Sequence, residues 1–355
     1  MENKKYLSDF YDFQYGKGNN NPDNGGQYPV YGSNGIIGWY DKYNSEDAPV
    51  IGHIGANCGS VVWASGKHFV TYNGVICNAK PNVNKRFAYY SLLNAHLEKR
   101  TRGAAQPFVS YDLLNKVSVY APVLPIQNKI ASILSTYDTL IENNTKRIRL
   151  LEKMAENLYK EWFVRFRFPG HEKVEMENGL PKGWSRGSLS EICEFKRGKN
   201  ITSSKMVEGS IPVISAGLEP SGFHNEANVK GVSVTMSSSG ANAGYIAVHY
   251  SDIWAADCSY IEESTTPYIY YVYELLNNIR GVISNFQRGA AQPHVYPKDI
   301  NRIKLIVTSE DLMRLANERL SVMHKLIHKF QQQNTLLARQ RDLLLPRLMS
   351  GKLEV

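Results

Sequence analysis

Two stretches of identical sequence, Arg102-Gly103-Ala104-Ala105-Gln106-Pro107 and Arg288-Gly289-Ala290-Ala291-Gln292-Pro293, place a guanidinium and a carboxamide four residues apart on a small-residue backbone. Those groups suit nucleic acid: Arg pairs bidentately with guanine, Asn and Gln with adenine, and Lys serves phosphate. Polar residues in neighbouring Gly-rich segments, where backbone can approach a ligand closely, extend the set. The candidate binding residues in the first half are Lys17, Tyr31, Ser33, Asn34, Asn57, Arg102, Gln106 and Phe108. In the second half they are Lys199, Ser215, Asn242, Arg288, Gln292 and His294. A loop shared by both halves suits a common framework or a backbone contact better than readout of two different sequences. Divergent positions, such as Phe108 against His294, are better readout candidates. Asn57 and Asn242 equally suit turns, which Asn tolerates, and Lys17 and Lys199 equally suit solvated surface.

Enzymatic signatures are missing. Every Gly-Lys pair is followed by Gly, His, Asn or Leu, so no phosphate loop is present, and no Gly-x-Gly-x-x-Gly turn is found. Asn21-Pro22-Asp23 lacks the second proline and the aromatic of an amino-methyltransferase box, and no acidic-x-Lys partner follows Pro22-Asp23. His324 and His328 stand four apart on a helical pattern, but a metal site needs three or four ligands and no third is near in sequence. Neither a metal nor a cofactor is expected, and the pattern favours a binding protein over a catalyst.

Composition sets broad limits. The chain has 355 residues, a formal net charge of +8 and 43% hydrophobic residues, enough for two globular domains. No stretch reaches the roughly 20 apolar residues of a membrane span, and no apolar region follows the charged start, so a cytoplasmic protein is expected. Residues 1–120 carry 12 basic and 9 acidic side chains, whereas residues 189–308 carry 10 and 11. Charge alone therefore does not make the second half a DNA binder. Cys58, Cys77, Cys193 and Cys258 form no Cys-x-x-Cys pair, and Cys77 and Cys258, at similar places in the two halves, are expected to be small buried residues.

The elements that must position these residues occur twice. Leu7-Ser8-Asp9 through Gly16-Lys17 matches Leu189-Ser190-Glu191 through Gly198-Lys199 at an offset of 182. Gly55-Ala56-Asn57-Cys58-Gly59 matches Gly240-Ala241-Asn242-Ala243-Gly244 at 185, the shared loop recurs at 186, and Asn144-Thr145 meets Asn334-Thr335 at 190. Order is kept while the offset creeps upward, as small insertions into a duplicated chain produce. Short β-branched and aromatic runs predict strands over 49–54, 60–63, 68–72, 232–236 and 245–248, with short helices over 86–98 and 267–278.

After each globular half comes a long helical pattern. Apolar residues from Ile126 to Trp162 alternate at three and four with one polar slot, Asn144, over a helix of roughly 57 Å. Leu312 to Leu344 follow the same alternation, interrupted at Arg319, Gln333 and Gln340. The two seams are expected to pair antiparallel, with Asn144 and Gln333 setting register. Pro346 is expected to bend or end the second helix, and Gly351 to stop it. Trp162, Phe163, Val164, Phe166 and Phe168 interleave with Arg165 and Arg167, either as a nucleic-acid platform or, better supported, as a helix end packing against protein.

Several segments resemble the specificity subunits of type I restriction-modification systems. They are Leu124-Pro125-Ile126-Gln127-Asn128-Lys129-Ile130 entering the first long helix and Leu151-Glu152-Lys153-Met154-Ala155-Glu156-Asn157-Leu158-Tyr159-Lys160-Glu161-Trp162-Phe163 closing it. Gly179-Leu180-Pro181-Lys182-Gly183-Trp184 and Arg341-Asp342-Leu343-Leu344-Leu345-Pro346-Arg347-Leu348-Met349-Ser350-Gly351-Lys352 complete the set. Val307-Thr308-Ser309-Glu310-Asp311 departs from it, lacking the Pro-x-x-x-Gln of the first helix entry. The resemblance implies an α+β fold of two duplicated, mostly-β target-recognition domains separated by two long antiparallel coiled-coil helices. The implied domains are 1–123 and 189–308, the spacer helices 124–168 and 309–355 (with the tail), and the linker 169–188. It also implies a non-catalytic subunit whose domains each read half of a bipartite, asymmetric site on double-stranded DNA. The implied partners are two modification (methyltransferase) subunits using S-adenosylmethionine and restriction (translocase/endonuclease) subunits using ATP and magnesium. Held on paired stiff helices, two readers would keep a fixed phase on DNA, whose turn is roughly 34 Å.

Overall fold

The computed structural model describes residues 4–18, 21–101, 103, 107–286 and 293–355. The chain divides into two compact units, residues 1–143 with 333–355 and residues 144–332. The boundary falls inside both long helices, so each unit is described by itself.

In the first unit β1 (Lys4–Tyr6) leads into the single turn α1 (Leu7–Phe10). The Tyr6 N–H donates to Asp9 Oδ2 at 2.8 Å, closing that turn. There follow β2 (Tyr11–Tyr15), β3 (Tyr28–Gly32), β4 (Gly35–Tyr40), β5 (Ser45–Gly52), β6 (Val61–Val70) and β7 (Gly74–Ala79). These six form one sheet in the order β2-β7-β5-β6-β3-β4. All neighbours are antiparallel except β3 and β6, whose parallel register pairs Val30 with Phe69. α2 (Lys85–Asn94) is capped by Asn84, which accepts from Phe87 N–H at 2.9 Å. α3 (Tyr111–Asn115) and β8 (Ser118–Tyr120) follow, and β8 pairs antiparallel with β1. Leu7, Phe87, Leu92 and Leu114 are buried in one core, each contributing about 2 kcal/mol by removal from water.

α4 (Leu124–Tyr159) is the first long helix and ends in a single wider turn over Lys160–Val164. The second unit then opens with the hairpin β9 (Met176–Glu177) and β10 (Leu180–Pro181), followed by β11 (Ser185–Ser188). β12 (Lys196–Arg197), β13 (Ile211–Ile214), β14 (Gly222–His224), β15 (Ser233–Ser237), β16 (Ile246–His249), β17 (Trp254–Ala255) and β18 (Cys258–Glu262) make two sheets, β12-β18-β15-β16 and β14-β13-β17. This is the first unit's sheet cut once. The ten-residue β6 is represented by two strands, β16 and β17, and the parallel pair β3·β6 by β13·β17. α5 (Ile269–Asn278), α6 (Arg280–Ser284), α7 (Pro297–Ile300), β19 (Lys304–Val307, antiparallel to β11) and the long α8 (Glu310–Leu348) complete the chain.

The long helices run antiparallel within the second unit, where the Arg147 guanidinium lies over Phe330 and Arg319 over Trp162. In the first unit Arg341 pairs with Asp138 at 2.7 Å, and Asp138 also accepts from Tyr90 Oη. Trp162, Phe163 and Phe168 are buried against Trp184, Tyr271 and their neighbours, which settles the aromatic run at 162–168 as packing.

Two expectations need correction, the break between the strands at 60–63 and 68–72 and the match of Cys77 with Cys258. Pro346 lies inside α8, two residues before its end at Leu348, and Gly351, at φ +71°, marks the stop. The predicted strands 60–63 and 68–72 are one strand, β6. All four cysteines are buried, but Cys77 and Cys258 are not counterparts, since Cys258 stands where the first unit has Gly74. Asn144 is buried as a seam residue should be, and Gln333 is exposed.

Candidate nucleic-acid interface

The duplication is carried by backbone hydrogen bonds. Gly55 N–H donates to the Pro107 carbonyl at 3.0 Å, and Gly240 N–H to the Pro293 carbonyl at 3.0 Å. Val109 N–H reaches the His53 carbonyl as Val295 N–H reaches that of Ser238, both at 3.0 Å. The turns match bond for bond: Cys58 to Gly55 and Ala243 to Gly240, Ser60 to Asn57 and Tyr245 to Asn242, Gly59 to Gly52 and Gly244 to Ser237. Lys17 N–H to the Val70 carbonyl corresponds to Lys199 N–H to that of Ala255. Phe108 bridges to Ile54 as His294 bridges to Ser239. In each unit one frame thus gathers the Gly-Lys segment, the Asn turn and the residue after the shared loop onto one end of the sheet.

Two glycines fix this frame. A methyl group on Gly16 would overlap the Thr71 carbonyl, and one on Gly198 the Ala256 carbonyl. The backbone before each Lys is therefore pressed against a neighbouring strand end, and no side chain fits between.

Lys17, Asn34 and Asn57 are exposed, and Phe108 is 40% exposed. Ser33 and Asn34 form the turn between β3 and β4, and Ser60 Oγ donates to the Ser33 carbonyl at 3.0 Å, tying that turn to the Asn57 loop. Tyr31 does not join them. It is buried beside Val50 and Ala64 with its ring edge against His68, and burial raises its pKa. In the second unit Lys199 is exposed, its carbonyl accepting from Trp254 Nε1 at 2.8 Å and its Nζ 5.9 Å from the Trp254 ring. Ser215 is half-buried and 3.0 Å from Ser221 Oγ. Asn242 is half-buried in its turn, and His294 stacks on Tyr296 with centroids 6.0 Å apart. Arg102, Gln106, Arg288 and Gln292 lie outside the described residues.

What the sequence reading overlooked lies just beneath these loops. Tyr15 stacks on Tyr111 at 4.1 Å and packs at a tilt against His53 at 4.3 Å, with Tyr72 against both Tyr15 and His53. At the positions of Tyr15 and His53, offsets of 182 and 185 put Arg197 and Ser238 in the second unit, and Asp257 stands where the first unit has Asn73. There Arg197 pairs with Asp257, whose other oxygen accepts from Ser239 Oγ. The signal was available: Tyr15 and Arg197 immediately precede the matched Gly-Lys pairs.

Away from this face, His324 is not placed as a metal ligand. It is buried 3.2 Å from Glu274 Oε1 and 2.9 Å from Tyr250 Oη, and His328 bonds Gln332. Among the described residues no helix is long and apolar enough to cross a membrane.

The family model for the type I restriction modification DNA specificity domain matches residues 4–153 and again 181–312. The chain is 26% identical over 309 residues to the MjaIX type I restriction enzyme specificity subunit of Methanocaldococcus jannaschii, covering 78% of this chain and 71% of that protein. It is 25% identical over 324 residues to a putative type I specificity subunit of Mycoplasma genitalium, covering 88% and 84%. The crystal structure of a type I restriction-modification system S subunit from M. genitalium shares the fold, with a TM-score of 0.68 at 22% identity over 98% of this chain and 95% of that one.

Proposed function

Because the chain belongs to the type I restriction modification DNA specificity family, we propose that each unit's loop face reads one half of a bipartite, asymmetric DNA site. The observation that carries this reading is one hydrogen-bond frame built twice, with different side chains mounted on it. A shared frame serves a common task, such as holding backbone phosphates in register, and unlike side chains serve unlike base sequences. Residues 1–123 and 189–308 are the recognition domains in this reading. Residues 124–168 and 309–355 are the helical segments that carry modification and restriction subunits, joined through 169–188. Lys17, Ser33, Asn34, Asn57 and Phe108 are the proposed contacts of the first domain, and Lys199, Ser215, Asn242 and His294 those of the second. The four residues of the shared loop, Arg102, Gln106, Arg288 and Gln292, remain proposed contacts, to the DNA backbone. Adenine methylation and ATP-dependent cleavage belong to the partners, and the chain supplies specificity.

The test is co-expression with the modification subunit, followed by methyl-transfer and binding assays. The complex should bind one split sequence in a salt-sensitive way, and the chain alone should neither methylate nor cleave. Methylation or cleavage by the chain alone would make it an enzyme, and binding without sequence preference would make it a scaffold.

A further inference from the structure

We infer that Arg197, oriented by Asp257, is a specificity-determining residue that reads a guanine in the half-site served by the second unit. The first unit lacks this readout because Tyr15 stands in its place. The inference rests on the reading that each unit contacts one half-site.

Position is the first argument. Arg197 is the last residue of β12, immediately before the close-packed Gly198 and two before Lys199, and its side chain is 42% exposed. It lies in the same frame as Asn242 and His294, through Ser239: the Ser239 hydroxyl binds Asp257, and Ser239 bridges to His294.

Charge is the second. A contact meant for phosphate needs net positive charge, which is the source of its affinity. Asp257 takes that charge away from Arg197 but leaves donors of the planar fork available and fixes its plane. Such a group is a poor phosphate magnet and a good bidentate partner for guanine O6 and N7. Lys199, with no carboxylate against it among the described residues, is the better phosphate contact.

The third is the pattern of retention. Lys is kept in both units, at 17 and 199, as a sequence-independent contact would be. Tyr15 and Arg197 differ, as do Asn73 and Asp257, as residues facing different bases would.

The test uses the complex with its modification subunits and a DNA library randomised at each position of the site in turn. With Arg197→Ala and Arg197→Lys, preference for guanine at one position of one half-site should fall about ten- to a hundred-fold, the other half-site being unchanged. Asp257→Asn, which keeps the arginine but loosens its plane, should cost part of that preference at the same position. Lys199→Ala should weaken all sequences alike and reduce the salt dependence. Uniform loss of binding in Arg197→Ala, with every base preference intact, would make Arg197 a phosphate contact and overturn the inference while sparing the half-site reading. Absence of any preference in the unaltered complex would overturn both.

Discussion

Tyr15 and His53 in the first unit and Arg197 and Ser238 in the second fill the same places in one backbone frame. The first pair packs ring against ring, with Tyr72 against both; in the second, Arg197 makes an ion pair with Asp257. Ring packing adds about 1 kcal/mol per pair beyond area burial and is indifferent to salt. A half-exposed ion pair contributes little to stability and is screened. The difference teaches that this layer is not needed in one form to hold the fold. The backbone frame holds the loops in both units, and the layer beneath them is free to vary with what the loops must recognise.

The comparison can be broken most severely at the element both units share. Gly16→Ala and Gly198→Ala each force a methyl into a backbone carbonyl, so each should cost about 3 kcal/mol and be read as raised amide exchange in its own unit. Next comes the layer that differs. Tyr15→Ala removes a ring packed on Tyr111 and His53 and should destabilise the first unit by about 2 kcal/mol, insensitive to salt. Asp257→Ala should change stability by under about 1 kcal/mol, because its carboxylate is 29% and Arg197 42% exposed, and the change should shrink in 1 M salt.

A smaller contrast lies in the sheets. His249 stands where the first unit has Ala64, and burial lowers its pKa to about 4 from 6.5. The neutral ring is the form the fold holds, so as pH falls below 6.5 the unfolded chain takes up the proton first. The stability from His249 is therefore full above pH 6.5 and declines down to about 4. Between pH 7 and pH 5 the loss should be on the order of 1 kcal/mol, and His249→Ala should flatten that slope in thermal melts.

The frame was legible in the sequence because duplication leaves ordered matches: Gly16-Lys17 against Gly198-Lys199, and the Asn57 turn against the Asn242 turn, fall where the repeated hydrogen bonds are. The long helices were legible from their seams. The sheet order was not, since it depends on long-range pairings such as β3 with β6 that no local pattern encodes. Tyr31 was misplaced because a tyrosine in a Gly-rich strand looks like a surface residue until its neighbours, Val50 and Ala64, close over it. Arg197 and Asp257 escaped notice because they are 60 residues apart and acquire meaning only as a pair.

The central claim, that one duplicated frame reads two different half-sites, is most directly tested by mapping methylated adenines, base by base, in DNA modified by the complex of this chain with its modification subunits. The account predicts methylation within a split site whose two fixed parts differ in sequence. Methylation at a contiguous palindrome, or at adenines with no common sequence around them, would contradict it.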